Sequence, residues 1–256
     1  MPSLPKRAPG TARRAESSRV AIQHLRPQES GYPSRLLSLD RPPALWLAGD
    51  PGALSAPLVA IVGSRAAGRK SLELAHELAR RLSACGIGVV SGLALGTDGA
   101  AHRGCLEGPS PTVAVLGCGL RRLYPDAHRA LAREIVAAGG AVISEQDPDT
   151  TVKPWMLVRR NHTVCALAQA VVAVESSADG GTMHACRFAI ELGRPLWVSR
   201  ENSGEGGRLL LEAEAGELQR RSKPMKGLRA EGGPFAQAFE DPELLAAKLA
   251  GFCATG

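Results

Sequence analysis

Apolar and polar positions along this chain follow two periods, and the switching between them lays out its elements. From residue 58 onward, short runs of β-branched or small apolar residues stop at a glycine or a polar residue, and helix-period segments follow them. Val59-Ala60-Ile61-Val62 is the first such strand. The later ones are Gly88–Ser91, Thr112–Leu116, Ala141–Ser144, Ala170–Val174 and Pro195–Val198. Helix-period stretches between them cover residues 69–84, 97–107, 126–138 and 181–193. Strands that are apolar at nearly every position, alternating with helices, predict an α/β fold: a mostly parallel sheet covered on both faces.

The two ends read differently. Residues 1–30 are rich in Pro, Arg, Ser and Ala without a sustained period, and a disordered basic segment is expected there. Ordered chain is expected from Gly31-Tyr32-Pro33, with a short strand at Ala44–Gly49 closed by the Asp50-Pro51-Gly52 turn. One domain then spans residues 31–216. Residues 217–256 read as a basic Gly/Pro-containing linker ending in one short helix, Pro242–Leu249.

Charge placement narrows the partner. The net charge is +6, and the surplus sits at the flanks. Residues 1–30 carry six Lys/Arg against Glu16 and Glu29, and residues 217–229 carry Arg220, Arg221, Lys223, Lys226 and Arg229 against Glu217. Basic flanks around a near-neutral middle fit a polyanion, nucleic acid first. The aromatic content of 4% argues against a base-stacking platform. No apolar run reaches the length of a membrane span and no apolar signal core follows Met1, so a cytoplasmic protein without membrane attachment is expected. The six scattered cysteines form no C-x-x-C pair and read as reduced core residues, so no metal site is expected.

The chemistry lies at the strand ends. Gly63-Ser64-Arg65 follows the first strand, and a helix start behind it suits an anion, with Arg65 as a bidentate fork. Ser91-Gly92-Leu93-Ala94-Leu95-Gly96-Thr97-Asp98 follows the second, with Thr97 or Asp98 placed to cap a helix. Gly117-Cys118-Gly119 follows the third, and Glu175 to Thr182, including Gly180-Gly181-Thr182, follows the fifth. Glycine-bearing turns gathered on one sheet edge let a phosphate or sugar-phosphate backbone approach the main chain. Arg159-Arg160-Asn161, ahead of a short apolar helix, would extend that groove from Arg65.

Other motifs fall short. The first turn lacks the middle glycine of a dinucleotide fingerprint, and no carboxylate ends the second strand. Gly63 to Ser71 comes within one residue of a P-loop, but Arg69 stands in the lysine slot. No nucleophile elbow is present. His102, His162 and His184 read as loop or helix-start residues rather than a triad or zinc site, although three loops reaching one edge could assist acid–base chemistry.

Taken together, these stretches resemble the DNA-processing protein A (DprA/Smf) family. The resemblance rests on Tyr32-Pro33, Val59 to Arg65, Val89-Val90-Ser91-Gly92-Leu93-Ala94-x-Gly96-x-Asp98-x-x-Ala101-His102, Val113 to Leu120 with Tyr124-Pro125, and Ser144-Glu145. It covers about residues 31–216. The family's Phe-Pro-x-Arg-Asn-Arg word stands here as Leu157-Val158-Arg159-Arg160-Asn161-His162, and its Ser-Gly-Ser/Thr word as Gly180-Gly181-Thr182. The resemblance implies an extended Rossmann-like domain that binds single-stranded DNA along its basic carboxyl edge. It implies a homodimer that protects incoming DNA and loads a RecA-type recombinase during natural transformation, with no cofactor and no catalysis. Gly63, Ser64 and Arg65 would then hold backbone phosphate, Gly92 and Gly96 would shape the adjacent loop, and Arg160-Asn161 would line the groove.

The competing class is an enzyme. The cytokinin-activating (LOG-type) phosphoribohydrolases share the sheet and a Pro-Gly-Gly-x-Gly-Thr-x-x-Glu word, which Gly180-Gly181-Thr182 echoes. Here Ala185 occupies the position of the catalytic glutamate and the preceding proline is missing, which weighs against nucleotide hydrolysis. A small-nucleotide sensor using the same edge is a third reading.

Overall fold

Nine strands join into one sheet in the computed structural model, which describes residues 21–201 and 203–255. They are β1 (Ile22–Leu25), β2 (Leu45–Gly49), β3 (Leu58–Val62), β4 (Gly88–Ser91), β5 (Thr112–Leu116), β6 (Ala141–Ser144), β7 (Ala170–Ala173), β8 (Leu196–Ser199) and β9 (Gln237–Phe239). Their order is β1-β2-β6-β5-β4-β3-β7-β8-β9. From β6 to β9 the neighbours all pair in parallel, while β2 runs antiparallel to both β6 and β1. Chain order climbs from β3 to β6 on one side of the sheet and resumes from β7 on the other. The direction therefore reverses between β3 and β4 on one hand and β7 on the other. In such sheets the crevice outside the carboxyl ends at that reversal receives the ligand.

The helices are α1 (Ser34–Leu37), α2 (Arg69–Ala84), α3 (Thr97–Leu106), α4 (Arg129–Ala137), α5 (Pro154–Leu167), α6 (Gly181–Glu191), α7 (Gly204–Glu212), α8 (Ala215–Arg221) and α9 (Pro242–Thr255). Alternate strand side chains feed opposite layers. Val59, Ile61, Val89 and Val172 pack with Leu78 and Leu82 of α2 and Leu245 and Leu249 of α9. Leu58, Ala60, Val90, Val113 and Val171 pack on the other face with Val164 of α5, Met183 of α6 and Leu210 of α7. The central strands β3 to β7 are buried at every position, which is why they read as unbroken apolar runs.

Both flanking expectations need correction. Residues 1–20 lie outside the described residues. Within the segment expected to be disordered, Ile22–Leu25 forms β1, and His24 stacks on Trp46 with ring centroids 4.3 Å apart. A four-residue strand whose two central positions, Gln23 and His24, are both polar carries no alternation to stand out. At the other end, the expected linker is part of the domain. The boundary at 216 cuts α8, Leu218, Met225 and Leu228 enter the main core, and β9 adds a parallel strand to the sheet edge. Helix α9 runs six residues beyond the expected end, to Thr255. Arg159-Arg160-Asn161, expected ahead of a short apolar helix, lie inside one 14-residue helix opened by Pro154. No helix among the described residues is long and apolar enough to cross a membrane.

Candidate functional site

Three strand ends enclose a cavity of about 440 Å³ at the reversal point of the sheet. The turn after β3 contributes Gly63, Ser64, Arg65 and Ala66, the loop after β4 contributes Gly92 and Ala94, and the segment after β7 contributes Ser177, Gly180, Gly181 and Thr182. Helix α5 closes the remaining side with Pro154, Leu157, Val158 and Asn161, spaced i, i+3, i+4 and i+7 along one helix face.

The turn is braced from behind. Ser64 carbonyl accepts from both the backbone N–H and the hydroxyl of Thr97, each at 3.2 Å. Ser64 hydroxyl accepts from Ala66 N–H at 3.1 Å. A Cβ on Gly63 would come within 2.4 Å of Thr97, so only glycine admits this close approach. Gly96, at φ 76°, lies against Ser64 and Arg65 carbonyls on the same seam. Gly96 and Thr97 therefore support the turn rather than line the cavity. Neither Thr97 nor Asp98 caps α3, whose first residue follows Gly96 without a side-chain cap.

Asp98 serves another purpose. Its carboxylate accepts from Gly92 and Ala94 N–H groups at 3.2 Å each and faces the Arg160 guanidinium at 3.6 Å. Arg160 is 6% exposed and also donates to Val115 carbonyl at 3.0 Å and to Leu157 carbonyl at 3.3 Å. Burial pushes the Asp98 carboxyl up, while the Arg160 charge and the two backbone donors pull it down. This buried pair ties α5 to the loop after β4. Gly92 must be glycine because a Cβ there would lie 1.1 Å from Arg160 Nη1. In the same loop Leu93 holds φ at 58°, a conformation unusual for a branched side chain, with its side chain in the core and its carbonyl accepting from His128 Nδ1 at 2.9 Å.

The sequence-based site residues divide accordingly. Gly63, Ser64, Arg65, Gly92, Arg160, Asn161, Gly180, Gly181 and Thr182 all line the cavity. Gly117 and Gly119 do not: both are buried, where a Cβ would strike Met156 carbonyl and the Asp147 and Pro148 carbonyls. Their strand end packs under α5 instead of opening to solvent. Arg159 points to the other side of α5 and pairs with Glu145 at 3.2 Å. Arg160 lines the first cavity and Arg159 a separate groove across α5, so the two arginines do not share one groove. The start of α2 is also not the open anion site expected, because Glu175 accepts from Gly68 N–H at 3.2 Å. The uncapped start of α6 takes that position in the cavity. The three histidines do not converge: His102 is fully buried against Thr112, and His162 packs edge-on to Phe188. Leu157, Val158 and Ser177 lay in stretches named from the sequence but were not singled out as lining residues, and Pro154 was not named; the spacing of 154, 157, 158 and 161 signals the α5 members.

Arg65 is exposed on the rim and forms no ion pair among the described residues, while Arg160 beneath it is disfavoured further by the Arg65 charge. The cavity thus offers one free guanidinium, an uncapped helix start and glycine-lined main chain, a set that can hold a phosphate group. Fold and crevice define the class as a Rossmann-like α/β domain with its ligand edge at the sheet reversal. The family model described as "DNA recombination-mediator protein A" matches residues 23–228, and the chain belongs to that family. It is 35% identical over 177 residues to Protein Smf of Escherichia coli, covering 68% of this chain and 47% of that protein. It is 32% identical over 168 residues to DNA processing protein DprA of Streptococcus pneumoniae, covering 65% and 59%. The chain thus spans about half the length of the curated relatives it matches. Among solved structures, DNA processing protein A from Helicobacter pylori, a protein with a described single-stranded DNA binding mode, superposes with a TM-score of 0.72 at 26% identity, over 91% of this chain and 97% of that one. The S. pneumoniae DprA structure gives 0.70 at 25% identity, over 89% and 74%.

Proposed function

We propose that this chain binds single-stranded DNA across the carboxyl edge of its sheet, with backbone phosphate at Arg65 and the Gly63–Ser64 turn. The observation that carries the reading is Arg65 itself: the one lining cation on the rim, unpaired among the described residues, above an arginine already committed to Asp98. Phosphate contacts of this kind give strong salt dependence and little sequence preference. Membership of the family and the single-strand binding of the H. pylori protein support the choice of ligand. Protection of incoming DNA, delivery to a RecA-type recombinase during natural transformation, assembly as a homodimer and a cytoplasmic setting are the wider role we assign on the family resemblance.

Binding rather than catalysis fits the lining. Asp98 is the carboxylate on the cavity wall, and its Oδ2 is held by Arg160 and two backbone donors. Ala185 lines the cavity where a phosphoribohydrolase needs its glutamate. The test is fluorescence anisotropy of a labelled single strand of about 30 nucleotides against wild type, Arg65→Ala and Arg133→Ala. The last removes the same charge from the exposed face of α4. Arg65→Ala should weaken binding about ten-fold or more, the scale of a lost charge-assisted contact, and Arg133→Ala much less. Equal effects from the two variants would move the site elsewhere.

A further inference from the structure

A second groove, of about 490 Å³, lies across α5 from the first, and none of the binding-edge residues accounts for it. Its outstanding feature is Trp155 in the first turn of α5, 51% exposed. The other two tryptophans are occupied: Trp46 stacks on His24, and Trp197 is buried beneath Lys248, whose Nζ sits 4.5 Å from the ring centroid. Across the groove His162 stands edge-on to Phe188, with centroids 5.2 Å apart and planes at 82°, which fixes the aromatic wall. Arg159 is held through Nε by Glu145, while the other oxygen of that carboxylate accepts the Thr163 hydroxyl. The acid is thus satisfied from both sides and Arg159 is oriented on the rim, with exposed Arg41 lining the same groove.

We infer that this groove receives one nucleotide of the same DNA strand, its base against Trp155 and its phosphate between Arg41 and Arg159. An exposed indole face next to two guanidinium groups suits a base with an attached phosphate, because every base offers a π-face and the strand supplies the anion. Continuity favours a strand over a free nucleotide. Val158 lines both cavities, so a chain whose phosphate rests at Arg65 meets the second groove on crossing the α5 ridge. A single stacking point also agrees with the low aromatic content, which excludes a platform but not one ring. The inference rests on the proposed single-strand binding.

The test uses the full chain with Trp46→Phe and Trp197→Phe, leaving Trp155 as the sole tryptophan emitter. It is titrated with a thirty-residue thymidine oligonucleotide and with an abasic strand of the same length. The expected result is strong quenching by the thymidine strand, none by the abasic strand, and weaker binding of the latter. In the otherwise unaltered chain, Trp155→Ala should lose about ten-fold in affinity by anisotropy, the scale of one base–aromatic stack, and Trp155→Phe should recover most of it. If the thymidine strand binds by anisotropy while Trp155→Ala binds as tightly as wild type, this groove is not on the DNA path and the inference falls, with single-strand binding intact. If neither strand binds by anisotropy, the proposed function falls and the inference goes with it.

Discussion

Arg160 shows how one side chain can organise a binding edge without being free to bind. Its guanidinium holds the Val115 and Leu157 carbonyls and faces Asp98, which in turn gathers the N–H groups of Gly92 and Ala94. Its charge was legible as a basic cluster, but its burial was not, because the sequence hides which side of α5 faces the sheet. Gly92→Ala places a methyl group in the guanidinium and forces the pair apart. The cost should approach that of breaking a buried ion pair, about 3 kcal/mol, read as a lower urea midpoint. An unchanged midpoint would mean that Arg160 moves aside freely. A second residue-scale prediction concerns pH. Thr112 hydroxyl donates to Val89 carbonyl, so His102 Nδ1–H donates to Thr112 and Nε2 is left buried without a partner among the described residues. Burial first, then the charges of His128, Arg160 and Arg103, push the imidazole down to about 3 from its ordinary value near 6.5. His162 and His184 are lowered by burial too. With folded values depressed, the unfolded chain takes protons first: stability is complete above about pH 6.5 and declines as pH falls toward 3. The urea midpoint should therefore drop between about pH 7 and pH 5, and His102→Gln should flatten part of that drop. A variant with the wild-type slope would contradict the assignment.

At the scale of elements, legibility followed burial. The strands β4, β5 and β6 were readable to the residue, since positions buried on both faces leave continuous apolar runs, and α2 was readable from its strong one-sided pattern. Edge strands carried no such signal: β1 and β9 are four and three residues long, with two and one polar residues, and are defined by their neighbours' hydrogen bonds. Helix α5 was only half seen because it faces the core on one side and two cavities on the others, which leaves little apolar contrast around its axis. The integration of β9 and α9 makes a prediction that the linker reading does not. Truncation after Arg229 would remove Phe239, Leu245 and Leu249 from the core and uncover Trp197. At about 2 kcal/mol for each large buried side chain, the loss is comparable to the stability of a whole domain. The truncated chain should lose cooperative thermal unfolding by circular dichroism. A melt like that of the intact chain would show the tail to be an appendage after all.

For the molecule as a whole, the glycine-bearing turns named in the sequence do gather on one sheet edge, but not all of them open into its crevice. Four glycine-bearing turns were read as one anion surface, yet the third is packed under α5, and the start of α2 is filled by Glu175. What remains is a compact crevice between β3 and β7 with Arg65 at its rim. Nor is the basic flank all free for a polyanion: Arg221 pairs with both Glu205 and Glu217. Local geometry at Arg65, more than net charge, thus sets the proposed binding edge, and one measurement separates the two. Anisotropy of a labelled strand of about 30 nucleotides, single and duplex, should be followed across a salt series for wild type and Arg65→Ala. The expected result is preference for the single strand, a log–log salt dependence of about −0.7 per neutralised phosphate, and a slope shallower by about that amount in Arg65→Ala. Equal affinity for duplex and single strand, with a salt slope that Arg65→Ala leaves unchanged, would contradict it.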